Sequence, residues 1–141
     1  MRILLLCVAL LSIVSAGKQS ARVVGRLMCR GKPQQYAELR LVSHRFIKGD
    51  KILADDVFSD SDGYFDISGS TTQITNMDVR LTIWHDCFED ERPRGGCKNW
   101  LELQIPSLYV NKGPFPMTFL EMGNLDLEKE QKKEHLDKCG G

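Results

Sequence analysis

The chain has 141 residues, with 19 basic and 19 acidic side chains balancing to a formal net charge of zero. No basic block stands out, which argues against a nucleic-acid partner. The length beyond the N-terminal apolar segment suits one ordinary domain with a single core of its own.

The first element in chain order is a targeting segment. Arg2 supplies a short positive region, Ile3 to Val14 an apolar run, and Val14-Ser15-Ala16 a small-residue cleavage site. The apolar run is about a dozen residues, whereas a membrane-spanning helix needs ~20. The alternative is an uncleaved anchor. No later stretch is long or apolar enough to span a bilayer. The expectation is a signal peptide over 1–16 and a secreted, extracellular domain over 17–141. Cys7 leaves with the signal, so Cys29, Cys87, Cys97 and Cys139 remain. An even set in an oxidising compartment reads as a disulfide framework. Four cysteines allow three connectivities, and the count does not choose among them. No N-glycosylation sequon follows the signal.

The domain reads as short strands separated by turns. Arg22–Cys29 is rich in apolar and β-branched residues and ends at the turn Arg30-Gly31-Lys32-Pro33. Ala37–Ser43 alternates, with Ala37, Leu39 and Leu41 on one face and Glu38 and Arg40 on the other. Lys51–Ser59 is a weaker strand, interrupted by Asp55 and Asp56. Gly63–Ser68 places Phe65 and Ile67 together. Gly69–Met77 is polar and reads as a short helix or an extended loop. Val79–His85 puts Val79, Leu81, Ile83 and His85 on one face, and Arg80, Thr82 and Trp84 on the other. Trp100–Pro106 turns Leu101, Leu103 and Ile105 inward and stops at the proline. Met117–Met122 leads through Gly123-Asn124 to Leu125-Asp126-Leu127. Glu128–Leu136 is charged and lacks an apolar stripe. It reads as a solvated tail with at most a helical turn or so, pinned by Cys139. The sum is an all-β sandwich of about seven strands.

Several of these pieces, in order, resemble the nematode transthyretin-like family. They are Val24-Gly25-Arg26-Leu27-Met28-Cys29 with Gly31-Lys32-Pro33, and Ser61-Asp62-Gly63-Tyr64-Phe65-Asp66-Ile67-Ser68-Gly69. Leu81-Thr82-Ile83-Trp84-His85-Asp86-Cys87, Ile105-Pro106 with Tyr109-Val110, and the closing Cys139 complete the set. The resemblance implies a transthyretin-like (prealbumin-like) sandwich with two disulfides. With the short interval between Cys87 and Cys97, it favours pairing Cys87 with Cys97 and Cys29 with Cys139. In the loop-entropy estimate these would contribute about 3 and roughly 5 kcal/mol. The resemblance also implies secreted proteins, one of which bridges phosphatidylserine on dying cells and a phagocyte receptor. No motif of this sequence marks that role.

The sequence offers no catalytic constellation. His85-Asp86-Cys87 suggests a metal site or a Cys/His pair, but an oxidised cysteine has no thiolate to give. Asp60-Ser61-Asp62-Gly63 resembles part of a calcium loop. With Gly63 as the turn glycine, however, Phe58 and Gly69 would fall where oxygen ligands are needed, so a hairpin turn is expected. No metal and no cofactor is expected. Trp84 and Trp100 lie opposite the inward residues, either as a contact surface, as cover for the second face of a sheet, or packed under the tail.

The expected function is that of a non-enzymatic binding or adaptor module working through its surface, with a cell-surface receptor or lipid as partner. A carrier of a small apolar ligand or hormone is the alternative. A hydroxyisourate hydrolase is disfavoured, because that family's Tyr-Arg-Gly-Ser terminus is replaced by Asp137-Lys138-Cys139-Gly140-Gly141. Oligomeric state is not fixed by the sequence.

Overall fold

The computed structural model describes residues 17–87, 99–130 and, as backbone alone, 134–136. Seven strands of six residues or more carry the fold: β1 (Gly17–Cys29), β3 (Glu38–Ser43), β4 (Lys51–Phe58), β5 (Tyr64–Gln73), β6 (Val79–His85), β7 (Asn99–Gln104) and β9 (Leu120–Asp126). Short pieces add β2 (Lys32–Pro33), β8 (Asn111–Lys112) and β10 (Glu134–Leu136). Between β7 and β8 lies a single 3-10 turn, Ser107–Tyr109. Among the described residues, no helix is long and apolar enough to cross a membrane.

Two sheets face each other. In the first, β1 pairs antiparallel with β5, β2 and β8, and parallel with β9. The second runs β10-β7-β6-β3-β4, every neighbour antiparallel. Alternation along each strand sends one set of side chains inward. Val23 and Leu27 of β1, Ile67 of β5, Leu39 and Leu41 of β3, Leu81 and Ile83 of β6 and Leu101 of β7 are fully enclosed. Burying each such aliphatic side chain stabilises by roughly 2 kcal/mol. His85 continues the inward row of β6 and is itself buried, as its alternation requires.

The turn before β5 forms as its residues dictate. Asp60 Oδ1 accepts hydrogen bonds from the amides of Asp62 and Tyr64, both at 2.9 Å. Gly63 has a φ of +85°, which its missing side chain tolerates. A Cβ there would also press on the Leu27 carbonyl oxygen. Asp60 thus holds a tight turn, but not the expected hairpin: the turn carries the chain from β4 in the second sheet to β5 in the first, each paired with another strand.

Two further sequence expectations are corrected. Gly69–Gln73 is neither helix nor loop: it continues β5, because Gly17–Ala21 of β1 offers it a partner edge. The tail also contributes a strand, with Glu134–Leu136 paired to Asn99–Leu101 along the edge of β7. Backbone hydrogen bonding to an open edge needs no apolar stripe, which is why that stretch reads as merely solvated in sequence.

On the outer face of the first sheet, Arg22 grips Asp66 in a two-pronged ion pair, with Nε at 2.9 Å and Nη2 at 2.6 Å. The Arg22 guanidinium holds the Asp66 carboxyl below its usual range. A lowered folded-state pKa gives stability that is present above the ordinary aspartate value, ~3.9, and is lost as pH falls through the lowered one. The pair is well exposed, so the contribution is small. Asp66→Asn is expected to flatten the acid limb of a urea-midpoint profile between about pH 5 and pH 2. It should leave the neutral midpoint nearly unchanged. An unaltered acid limb would refute this.

Candidate functional site

The sequence-predicted sites fall in three places. Cys29 ends β1 and Cys87 lies just beyond β6, so the two come together where one end of the sandwich closes. They form a disulfide with Cα atoms 5.7 Å apart. This overturns the expected pairs Cys29–Cys139 and Cys87–Cys97. The short interval from Cys87 to Cys97 is a poor guide, because sheet packing delivers Cys29 to Cys87 from 58 residues away. Cys97 and Cys139 lie outside the described residues. The expectation that Cys87 is oxidised holds, though with a different partner. Beside it, the Cys87 amide donates to His85 Nδ1 at 3.1 Å, so that ring nitrogen is taken up as a backbone acceptor. An oxidised sulfur and an imidazole nitrogen engaged by the backbone give no nucleophile and no ligand pair.

Trp84 and Trp100 are directly opposite one another on β6 and β7, and both are half-buried. They share the outer face of the second sheet, as their alternation predicts. The Arg40 guanidinium lies 5.0 Å from the Trp84 ring centroid and also bonds Asp55 at 3.2 and 3.3 Å. The Asp55 carboxyl is held below its usual range by the Asp56 amide and then by Arg40. Asp55, Asp56 and Glu38 bring carboxylate oxygens within 4.8 Å of one another. An exposed acidic group of this kind, already countered by Arg40, is ordinary surface chemistry.

The third place has no counterpart in the sequence reading. The β3–β4, β5–β6, β7–β8 and β8–β9 connections all lie at the end of the sandwich remote from the disulfide, and hydrogen bonds knit them together. The His44 amide donates to the Asp78 carbonyl, and the Ser43 hydroxyl to Gln73 Oε1. Gln19 Nε2 reaches the carbonyls of Gln73 and Thr75, while its Oε1 receives the Met77 amide. The Gly113 amide donates to the Lys18 carbonyl.

This end carries most of the large apolar side chains left in solvent. At the tip of the β3–β4 connection, Phe46 is 93% exposed and Ile47 97%. Ile74, Leu108, Phe115 and Met117 are exposed in the other three connections. At the disulfide end the comparable residues are Tyr36, Phe58 and Tyr64. Charge follows the same division. Lys18, Arg45, Lys48, Lys51 and Lys112 rim the loop-bearing end, against Asp50 and Asp78. Both carboxylates are engaged: Asp50 by His44 at 2.7 Å and Asp78 by Arg80 at 3.0 Å. Between the 44–48 and 72–78 segments lies an open groove of about 720 Å³, with Phe46, Ile47 and Ile74 as its apolar walls. A sequence signal existed: Phe46-Ile47 sits in a polar turn between Arg45 and Lys48, where nothing in the strand pattern needs an apolar pair. The concentration of four loops at one end is not written in any single stretch.

Fold and covalent framework define a two-sheet β-sandwich stapled from one sheet to the other, with an apolar, cationic set of loops at the opposite end. A transthyretin-like family profile matches residues 24–106. Transthyretin-like protein 5 of Caenorhabditis elegans is 34% identical over 89% of this chain and 88% of its own length. Transthyretin-like protein 33 of the same nematode is 32% identical over 84% of this chain and 81% of its own. The chain belongs to the transthyretin-like family. Solved structures match distantly. A 9R-lipoxygenase from Cyanothece has a TM-score of 0.40 at 18% identity, covering 79% of this chain and 16% of that one. An (S)-allantoin synthase has a TM-score of 0.47 at 10% identity, covering 84% of this chain and 45% of that one.

Proposed function

We propose that this protein is an extracellular, non-enzymatic binding module that docks through its loop-bearing end onto a lipid surface with anionic headgroups. The N-terminal targeting pattern supports the compartment. The observation that carries the reading is the side-by-side exposure of Phe46 and Ile47 between Arg45 and Lys48. Two large apolar side chains at 93% and 97% exposure gain little from folding beyond an edge-to-face contact of Phe46 with His44. Each would contribute roughly 2 kcal/mol if moved fully from water into hydrocarbon. Basic side chains close to an anionic membrane surface add about 1 kcal/mol apiece. The sum suits reversible attachment rather than permanent anchoring.

The test is co-sedimentation with vesicles of phosphatidylcholine alone or mixed equally with phosphatidylglycerol. The chain is expected to bind the anionic vesicles, and less so as salt is raised. The double substitution Phe46→Ser with Ile47→Ser is expected to weaken binding by about 30-fold, the equivalent of about 2 kcal/mol for partial insertion. Both sites are solvent-exposed, so stability should stay within about 0.5 kcal/mol of the parent. Equal retention of the parent and double variant on vesicles would sink the reading. So would capture by intact cells that disappears after their surface proteins are shaved with protease.

A second reading, a carrier of a small apolar ligand, is favoured by the groove between the 44–48 and 72–78 segments. Its volume lies within the ordinary range for ligand sites, about 300–1,000 Å³. Saturable displacement of an environment-sensitive dye by a small apolar molecule, with no vesicle binding, would replace the first reading by this one.

A further inference from the structure

The β8–β9 connection differs from the 44–48 loop in how firmly it is held. Asn111 clamps its base: Nδ2 donates to the carbonyls of Thr118 at 2.7 Å and Tyr109 at 3.1 Å, and Oδ1 accepts from the Thr118 amide at 2.8 Å. The Gly113 amide ties the outgoing arm to Lys18 of β1 at 2.6 Å, and the Met117 amide closes on the Phe115 carbonyl at 3.0 Å. Pro114 and Pro116 fix φ on either side of Phe115. The loop therefore presents Phe115 and Met117, 72% and 86% exposed, on a backbone with little freedom left to lose. Ordering costs that usually weaken association have been met by folding itself.

We infer that Phe115 and Met117 form a second apolar contact with the same lipid surface, so that the sandwich stands end-on with two loops inserted. The inference rests on the lipid-docking reading above and adds to it an orientation and a second set of residues. Three observations favour a lipid over a protein groove as the occupant. The strand register projects this loop toward the start of β1, beside Gly17 and Gln73, which is the end bearing Phe46 and Ile47. Residues 105–119 contain no carboxylate. Lys18 and Lys112 flank the loop as Arg45 and Lys48 flank the other. An apolar tip ringed by cations at both loops is complementary to a hydrocarbon layer beneath anionic headgroups.

The experiment uses the whole chain and two single substitutions, Phe46→Trp and Phe115→Trp. The mixed phosphatidylcholine and phosphatidylglycerol vesicles carry bromine on their acyl chains. Trp84 and Trp100, on the outer face of the second sheet, supply a baseline from residues that stay in water in the end-on pose. Both variants are expected to show added emission that shifts to the blue and is quenched by the brominated lipid. Phe115→Ser with Met117→Ser is expected to weaken vesicle binding about tenfold while leaving the urea midpoint unchanged. If the added emission of Phe46→Trp is quenched and that of Phe115→Trp is not, the second contact is wrong and the docking reading stands. If neither is quenched and the parent chain fails to sediment, the docking reading falls and this inference with it. Quenching of Trp84 and Trp100 in the parent would overturn the end-on orientation, because the outer sheet face would then be the one in contact.

Discussion

Replacing Cys29 and Cys87 together by alanine is expected to lower stability by about 4 kcal/mol, read as a shift in urea unfolding. The figure follows from loop-closure entropy for partners 58 residues apart. The bond joins β1 of one sheet to the segment leaving β6 of the other, so it restrains the separation of the two layers directly. Cys87 is 7% exposed and belongs to the core, which adds a packing loss to the entropy. Peptide mapping without reduction is expected to recover Cys29 and Cys87 in one crosslinked peptide. Once those two are joined and Cys7 has left with the signal, full oxidation would leave Cys97 only Cys139 as an intramolecular partner. A peptide joining Cys29 to Cys139, or Cys87 to Cys97, would contradict the arrangement. A double-alanine variant as stable as the parent would show that the sheets hold without the staple.

Gly69→Ala is expected to cost about 3 kcal/mol, the upper part of the range for forcing extra volume into a packed site. The reason is local and steric. Gly69 lies in β5 opposite Ala21 of β1, while Leu53 of β4 crosses it from the other sheet. A Cβ there would overlap the Leu53 carbonyl oxygen and carbonyl carbon, which are backbone atoms and cannot swing aside. Relief requires β4 to move away from β5, opening the edge at which the two sheets meet. Gly17→Ala is the matched control, since a Cβ at Gly17 has nothing within 4 Å. Equal melting temperatures for the two variants would refute the argument. A large loss at Gly69 alone would show that β4 and β5 pack too closely for any side chain there.

Much of the fold was legible because alternation is a local property. The inward row of Val79, Leu81, Ile83 and His85 can be read without knowing what it packs against. The same holds for Leu39 and Leu41, and for Leu101 with Leu103 and Ile105. The Asp60–Gly63 turn was legible for a similar reason, because its hydrogen bonds close within four residues. Gly69–Gln73 was not, since a polar stretch with Thr71 and Thr72 becomes a strand only when β1 lies alongside it. Glu134–Leu136 needed the open edge of β7 in the same way.

By itself, the sequence determined the class of fold, the faces of its main strands, the tight turn at Asp60–Gly63 and the membership of a family. All of these rest on residue types at short, fixed spacings. Only the tertiary structure decided which cysteine meets Cys29, that Trp84 and Trp100 stand opposite each other, and that Phe46, Ile74 and Phe115 share one end. Those relations depend on strand order and register, through which long-range hydrogen bonding and core packing place segments beside one another whatever their distance along the chain.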